Sequence, residues 1–485
     1  MADIVLIQPR GNRFDEIAIR VPNGLLAIAA LPEQAGYSVK IVDLRVDSDW
    51  RQSLKDAIDS DTLCVGIRCF TGRMIVSALE IAKEVRLVNP SIPLVWGGPH
   101  PTLMSKQTLE SPLVDIIIIN EGDKVFFELV GSLAEKRALS EIKGIGYKIN
   151  GEIKINSPAP LIDNLNSLPF FPYKLVDVPK YSSLEIDNLP SLDIITSRGC
   201  PYNCGFCSTP ITSKRLWRAS SVEKIIENIL FLKGKYGIAT FYLVDDNFMV
   251  DLDRVELFLD ALKEAKLKIY WGTQGVRVDT INRMSSKFLD KIEDSGCVEL
   301  SIGIESANSE ILDMIDKKFK REDVLSANEK LAGRNFAVKY NMIIGFPGET
   351  LNGINETVKL AIDLQKKNKN AWFPFNIFTP FPSTQMFQKA VNMGFTQPAN
   401  LEEWAHLEST GWGKYYKHWM SDRENKILES INCTSYLAFS SGIHRVSNRI
   451  LKMMLQAYQP LAYWRFKHTF YLLHLEKYFI QKLDS

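Results

Sequence analysis

Short apolar runs separated by helix-length amphipathic stretches set the pattern of residues 1–135: DIVLIQ, SVKIVD, TLCVGIR, PLVWGG and VDIIIIN. Runs that are apolar throughout suit strands covered on both faces, and their alternation with helices predicts a doubly wound, Rossmann-like parallel sheet. Ligands of such sheets sit beyond the carboxyl ends of the strands. Three segments fall there, on one rim: Cys69-Phe70-Thr71-Gly72, Gly97-Gly98-Pro99-His100-Pro101-Thr102 and Asn120-Glu121-Gly122-Asp123. Within VPNGLLAIAALPEQAGYSVKIVD, Pro22 suits the start of a helix, whereas Pro32 must kink or end it, because proline has no N–H to donate.

Residues 136–188 predict a linker. GIGYKINGEIKIN alternates apolar and polar positions around Asn150-Gly151, a hairpin signal, and prolines at 158, 160, 169, 172 and 179 stiffen the remainder of the segment. That stretch is a plain connector or a segment draped over an active site. From 189 to 390, SLDIITS, ATFYLVDD, KIYWGTQ, CVELSIGIES, AVKYNMIIGF and WFPFNIFT alternate with helical segments. Six such units predict a partial, TIM-like (β/α)6 barrel rather than a closed eight-unit one, with function at the carboxyl ends of its strands. Residues 391–485 read as helical. Trp404, Trp412, Tyr415, Tyr416 and Trp419 either wall a cavity or simply pack. Beyond 440, Arg445, Arg449, Lys452, Arg465, Lys467, Lys477 and Lys482 face only Glu476 and Asp484, so this tail either docks on the barrel or lies on an anionic membrane.

Composition narrows the class. With 485 residues, 46% of them hydrophobic, the chain holds two or three domains with sizeable cores. A net charge of +1 lacks the basic excess of a protein that grips phosphates, so no nucleic-acid partner is expected. MADIVLIQPR enters a strand with no signal-peptide pattern, and no apolar run reaches membrane-spanning length, so a cytoplasmic protein is expected. Seven cysteines, three of them clustered, suit a metal site in a reducing compartment better than disulfides.

The cluster lies in SRGCPYNCGFCSTP: Cys200, Cys204 and Cys207 are spaced Cys-x3-Cys-x2-Cys, with Phe206 before the last. Structural zinc takes four closed ligands. Three thiolates instead suit an iron–sulfur cluster with one iron open; a zinc knuckle or free thiols are the plainer alternative. This spacing and the aromatic resemble the radical S-adenosylmethionine (SAM) superfamily. The resemblance implies a 4Fe-4S cluster whose open iron chelates SAM, and reductive cleavage to a 5′-deoxyadenosyl radical. Other stretches are similar to that family's. Val244-Asp245-Asp246-Asn247-Phe248 stands where the SAM ammonium is held, with helix capping by Asp245 or Asp246 as the rival. Gly303-Ile304-Glu305-Ser306 resembles the ribose-binding stretch; Glu305 is otherwise an ion-pair partner of Arg277. Arg277 in turn suits the SAM carboxylate by its fork geometry, and both assignments stay open. Met342 to Glu349 resembles the adenine-binding stretch, with backbone amides at Ile344 and Gly345 and Phe206 against the base.

The first domain resembles the cobalamin-binding domain that precedes this barrel in one large subgroup. That implies a cobalamin site at Thr71, Gly97, Gly98, His100, Glu121 and Gly122, where glycines allow close backbone approach. QPRGNRFDEI lacks the Asp-x-His-x-x-Gly loop of methionine-synthase-type domains, which excludes a lower histidine ligand from that loop. His100 is either a cobalt ligand from another loop or a hydrogen-bonding residue in a tight turn. A nucleotide-binding or vestigial domain is the alternative.

Together the resemblances imply a cobalamin-dependent radical SAM methyltransferase acting on an unactivated carbon of a small-molecule or lipid-like substrate, with a flavodoxin or ferredoxin as electron donor. A cyclisation or ring contraction keeps both cofactors without methylation. A cobalamin- and cluster-binding sensor is the reading from another class.

Overall fold

The computed structural model describes residues 2–11, 19–186, 189–407, 419–439 and 449–471. The first sheet holds β1 (Ile4–Gln8), β2 (Val39–Asp43), β3 (Cys64–Arg68), β4 (Leu94–Gly97), β5 (Ile116–Ile118), β6 (Ile145–Ile149) and β7 (Glu152–Ile155), in the order β2-β1-β3-β4-β5-β6-β7. β1 to β5 are parallel, and each falls within one predicted run. Successive residues of β1 enter different cores: Ile4 and Leu6 join Leu25, Leu26 and Phe126, whereas Val5 and Ile7 join Leu54, Ile75 and Ala78. That two-sided cover is why the runs are continuously apolar. The helix Asn23–Gln34 starts after Pro22 and ends in the turn that contains Pro32.

GIGYKINGEIKIN forms the β6–β7 hairpin, with Asn150 (φ 52°) and Gly151 (φ 79°) both left-handed, as a two-residue primed turn demands. It is not linker, however. β6 pairs antiparallel with β5 and extends the first sheet, because Ile145 and Tyr147 are buried there.

The second sheet contains β8 (Ser183–Ile186), β9 (Leu189–Ile194), β12 (Thr240–Leu243), β13 (Tyr270–Val276), β14 (Cys297–Glu305), β15 (Ala337–Ile344), β16 (Ala371–Trp372) and β17 (Phe375–Ile377); β10 (Ser197–Arg198) and β11 (Arg218–Ala219) form a separate ladder. Within this sheet β9 and β12 to β17 pair in parallel, and β8 adds an antiparallel edge beside β9. The order β16-β15-β14-β13-β12-β9-β8 leaves the barrel open. The predicted last strand, WFPFNIFT, is split into β16 and β17 around Pro374, which has no N–H for the ladder.

Local signals set the helix ends. Ser221, Ser285, Thr350 and Ser421 each accept a bond from a first-turn amide, and Gly237 (φ 69°) terminates the helix Val222–Tyr236. Phe387 and Trp404, on the helices Gln385–Asn392 and Leu401–Trp404, join the outer core of the first domain with Trp96 and Leu109. Phe466, on the helix Arg449–Lys467, packs edge-on against Phe375 of β17. Trp404 and Trp419 are therefore packing residues, and Arg465 is buried with bonds to Phe470 O and Tyr458. Trp412, Tyr415, Tyr416, Arg445, Glu476, Lys477, Lys482 and Asp484 lie outside the described residues, as does the side chain of Arg449. Among the described residues, no helix is long and apolar enough to cross a membrane.

Candidate functional site

The cysteines sit on a loop closed at its base by the antiparallel β10–β11 ladder. Gly199 leaves that ladder at φ 82°, and a Cβ there would lie 2.1 Å from Leu216 O, so the turn requires glycine. Cys207 N donates to Cys204 O, Gly205 N to Ile315 O and Met386 N to Gly205 O, each at 3.0 Å, which pins the loop against the barrel. The three thiols are free and partly buried. Burial, then repulsion from the thiolates of Cys204 and Cys207, pushes the Cys200 thiol up; burial and Cys204 do the same to Cys207. The thiolate is the form in which cysteine binds a metal, so a cationic guest would take these side chains deprotonated. Among the described residues no three Cys, His, Asp or Glu groups are placed to hold one metal ion. Three soft thiolate donors on one loop suit an iron–sulfur cluster with one iron left open.

Asp246 and Asp245, adjacent after β12, face opposite ways. Exposed Asp246 clamps the loop, accepting from Gly199 N at 3.0 Å and Thr209 Oγ1 at 3.1 Å. Asp245 is 1% exposed and accepts from Thr196 N, Thr196 Oγ1 and Ser197 Oγ, each at 2.6 Å, so it fixes the end of β9 and does not reach the rim. Neither caps a helix; Asn247 and Asp251 do.

Arg277 is not the partner of Glu305. Its Nε donates to Asp279 at 2.8 Å and its Nη2 to Lys317 O at 2.7 Å; its guanidinium lies 3.7 Å from the Tyr202 ring centre, with Nη1 4.0 Å from Cys204 Sγ. Glu305 pairs instead with buried Lys317 at 2.8 Å, and Lys317 also donates to Gly303 O. No sequence pattern points to that lysine. Glu305 holds φ 68° at a register shift between β14 and β15, the strained backbone that functional rims often carry. Ser306 is buried, bonded to Asn308 N and Thr357 Oγ1, and faces away from the rim.

Ile344 is fully buried, and the amides of Gly345 and Phe346 donate to Glu349 Oε2 at 2.6 and 3.1 Å. The Gly345 amide given to adenine by resemblance is therefore already engaged. Burial pushes the Glu349 carboxyl up to about 7. Phe206 lies 6.0 Å from Phe346, ring centre to ring centre, at the edge of an apolar cluster with Phe378 and Met386.

A cleft of about 400 Å³ separates this loop from the first sheet. Gly97, Gly98, Glu121 and Gly122 line one side, and Arg198, Gly199, Arg218 and Asp246 the other. It lies at the carboxyl ends of β3, β4 and β5, the end of a parallel sheet where ligands bind. A Cβ on Gly97 would meet nothing nearer than Ile118 at 3.9 Å, whereas Gly98, at φ 113°, sits against Cys69 O. The floor thus presents glycine backbone at Gly97 among apolar side chains such as Ile67, Val95 and Ile118, a fit for a broad planar ligand.

Thr71 and His100 lie behind that floor. His100 is 0% exposed, its Nδ1 is 2.9 Å from Thr71 Oγ1, its Nε2 has no partner, and burial lowers its pKa to about 4. This geometry is that of the hydrogen-bonded turn, not of a cobalt ligand. Glu121 reaches across the cleft to Arg218 at 2.9 Å and accepts from Ile162 N, while Arg198 forks Asp123 at 2.7 and 2.9 Å. Arg198, Arg218 and Asp123 carry no sequence expectation, although Arg198 and Asp123 stand inside segments singled out for other residues.

Residues 194–361 match the Radical SAM superfamily and residues 19–130 the B12 binding domain. An uncharacterized methyltransferase of Pyrococcus horikoshii is 32% identical over 418 residues, 86% of this chain and 88% of its own. The chain belongs to the radical SAM superfamily. Cytidylyl-2-hydroxyethylphosphonate methyltransferase of Streptomyces wedmorensis is 25% identical over 81% of this radical SAM chain and 83% of its own. The solved radical S-adenosylmethionine methyltransferase TsrM of Kitasatospora setae, with cobalamin and a [4Fe-4S] cluster bound, shares the fold with a TM-score of 0.67 at 17% identity, covering 88% of this chain and 83% of that one. The two family matches fall on the cysteine loop with its rim and on the floor of the cleft.

Proposed function

We propose that this protein is a cobalamin-dependent radical SAM methyltransferase that places a methyl group on an unactivated carbon of a small molecule. One observation carries the reading: the glycine-floored cleft and the three-cysteine loop share a wall, made by Gly199 and Asp246. Two cofactors held there act on one substrate without crossing bulk water, which is the positioning such chemistry needs.

Cys200, Cys204 and Cys207 hold the cluster, and Gly97, Gly98, Glu121 and Gly122 line the cobalamin seat. Asp246, Arg277 and Glu305 bind SAM, while Asp245, Ser306, Ile344 and Gly345 shape the rim that carries them. When bound, the cluster supplies an electron to SAM and the cobalamin carries the methyl group. The protein's residues orient these groups and exclude water. Residues 1–155 form the cobalamin-binding unit and 189–390 the barrel. A low-potential donor of flavodoxin or ferredoxin type supplies the electron. The exposed Met453, Met454, Leu461 and Trp464 on the helix Arg449–Lys467 are where a peripheral membrane contact would form, a point that flotation with anionic vesicles decides.

The test is anaerobic incubation of cobalamin-loaded protein with methyl-deuterated SAM, reductant and host extract. A product carrying the deuterated methyl is expected, and Cys204→Ala is expected to abolish 5′-deoxyadenosine. Continued formation at the normal rate in that variant sinks the cluster assignment, and 5′-deoxyadenosine without transferred label assigns cyclisation or rearrangement instead.

A further inference from the structure

The cysteine loop carries no fixed charge of its own. From Gly199 to Ser213 every side chain is neutral until the cysteines ionise, so three thiolates must find their counter-charge elsewhere. Among the described residues, Arg215, Asp246, Lys317 and Arg277 bring charge onto this loop. Arg215 and Asp246 are exposed, and water screens what they contribute. Lys317 stands 5.8 Å from the Phe206 ring centre, but Glu305, also buried, cancels it at 2.8 Å. Arg277 differs from all three: its side chain is 6% exposed, whereas that of its counter-ion Asp279 is 40% exposed. A buried guanidinium paired with a carboxylate that faces water leaves positive charge inside the protein.

That charge is aimed. Arg277 directly follows β13; its Nε donates to Asp279 and its Nη2 to Lys317 O, and its guanidinium lies on the ring of Tyr202, which stands between Cys200 and Cys204 on the loop. These three contacts leave Nη1, which points at Cys204 Sγ from 4.0 Å. The carbonyl that holds Nη2 is itself set on a strained turn, with Asp316 and Lys318 on either side of Lys317 both at φ 59°. Residues other than glycine stay in that region only where the surrounding structure holds them there, and such strain gathers at functional sites.

A cluster held by cysteines has its reduction potential set by its net charge, by hydrogen bonds to its sulfurs and by its exposure to water. Reduction brings one electron from the low-potential donor and makes or breaks no bond in the protein, so the cluster becomes more negative by one charge. A fixed cation beside Cys204 therefore stabilises the reduced form more than the oxidised one. We infer that Arg277 sets the reduction potential of the cluster, raising it by its buried charge and by the Nη1–H directed at Cys204 Sγ. This role is additional to the SAM contact proposed for the same side chain. It rests on the assignment of the cluster to Cys200, Cys204 and Cys207, and on nothing about the substrate or the reaction.

The full chain, reconstituted anaerobically with iron, sulfide and cobalamin but without SAM, is poised at a series of potentials while the reduced-cluster signal is followed by electron paramagnetic resonance. Omitting SAM removes any contribution from a lost SAM contact. Arg277→Met is expected to lower the midpoint potential by about 59 mV or more, a tenfold fall in the ratio of reduced to oxidised cluster at a fixed potential. Arg277→Lys, which keeps the charge and loses the fork, should recover part of that shift. Asp279→Asn removes the counter-charge, keeps an acceptor for Nε, and should move the midpoint the other way.

Iron and sulfide content checks that each variant still builds the cluster; should Arg277→Met fail that check, the shift in Asp279→Asn decides. A midpoint that stays in place in Arg277→Met, or that does not rise in Asp279→Asn, overturns the inference and leaves Arg277 as a residue that packs the loop. A native chain that takes up no iron and sulfide overturns the cluster assignment itself, a failure distinct from that of a loaded cluster indifferent to Arg277.

Discussion

Glu349 is the residue whose charge state most directly touches the rim. Its ordinary pKa of 4.5 is raised to about 7 by burial, and one carboxylate oxygen has no partner while the other holds the amides of Gly345 and Phe346. Between those two values the folded chain keeps a proton that the unfolded chain has released. Stability therefore falls as pH rises through that window, by about 3 kcal/mol in all, and levels off above it. Glu349→Gln keeps an acceptor for both amides and cannot ionise. Denaturant midpoints measured on either side of the window are expected to lose this slope in the variant, and parallel profiles for the two proteins would assign the slope to other groups. At His100 the prediction is spectroscopic. The cob(II)alamin form should show no nitrogen coupling from the protein, and His100→Gln should leave its spectrum unchanged while lowering stability by about 1–3 kcal/mol through the lost bond to Thr71. A nitrogen pattern that vanishes in the variant would make His100 a ligand after all.

Between elements, the β10–β11 ladder and the rim after β5 are joined by charge. Asp123 is almost completely buried and meets both arms of the Arg198 guanidinium, so Arg198→Met leaves an uncompensated carboxylate and should cost about 3 kcal/mol. Adding Asp123→Asn should recover part of that loss, and the coupling read from a double-mutant cycle is the check; additive losses would mean the pair is not a unit. This latch also marks where sequence stops being legible. Strands and the cysteine loop could be read because apolar runs, proline positions and Cys spacing are local. The pairs Glu121 with Arg218 and Glu305 with Lys317 join elements through the fold, and no periodicity encodes them. Asp245 and Asp246 show a finer limit. Both are acidic and adjacent, and only the way the chain leaves β12 decides that one holds β9 while the other meets the cleft. The hairpin was likewise legible as a hairpin, but its pairing with β5 depends on a sheet edge that local sequence does not describe.

Across the whole molecule, the two sheets are assembled so that the cleft floor of one faces the cysteine loop of the other, and this arrangement can be tested without any knowledge of the substrate. Gly97 is the position to change. Its backbone lies outside the left-handed region that favours glycine, and its Cβ position is free of close contacts, so Gly97→Leu should fold with little loss of stability. Its side chain would instead project from the floor into the cleft that Gly98, Glu121 and Gly122 also line. Cobalamin stoichiometry measured by absorbance should therefore fall sharply, while iron and sulfide content stay at the native level, because the cysteine loop is held by Asp246, Ile315 and Met386 and not by the cleft floor. Gly98→Leu is the contrasting variant: with φ at 113° and Cys69 O at 2.7 Å from the new Cβ, it should destabilise the domain itself. Loss of cobalamin in the first variant with intact folding would locate the cofactor between the sheets, whereas full loading there would move its seat elsewhere and detach the cluster loop from the methyl carrier.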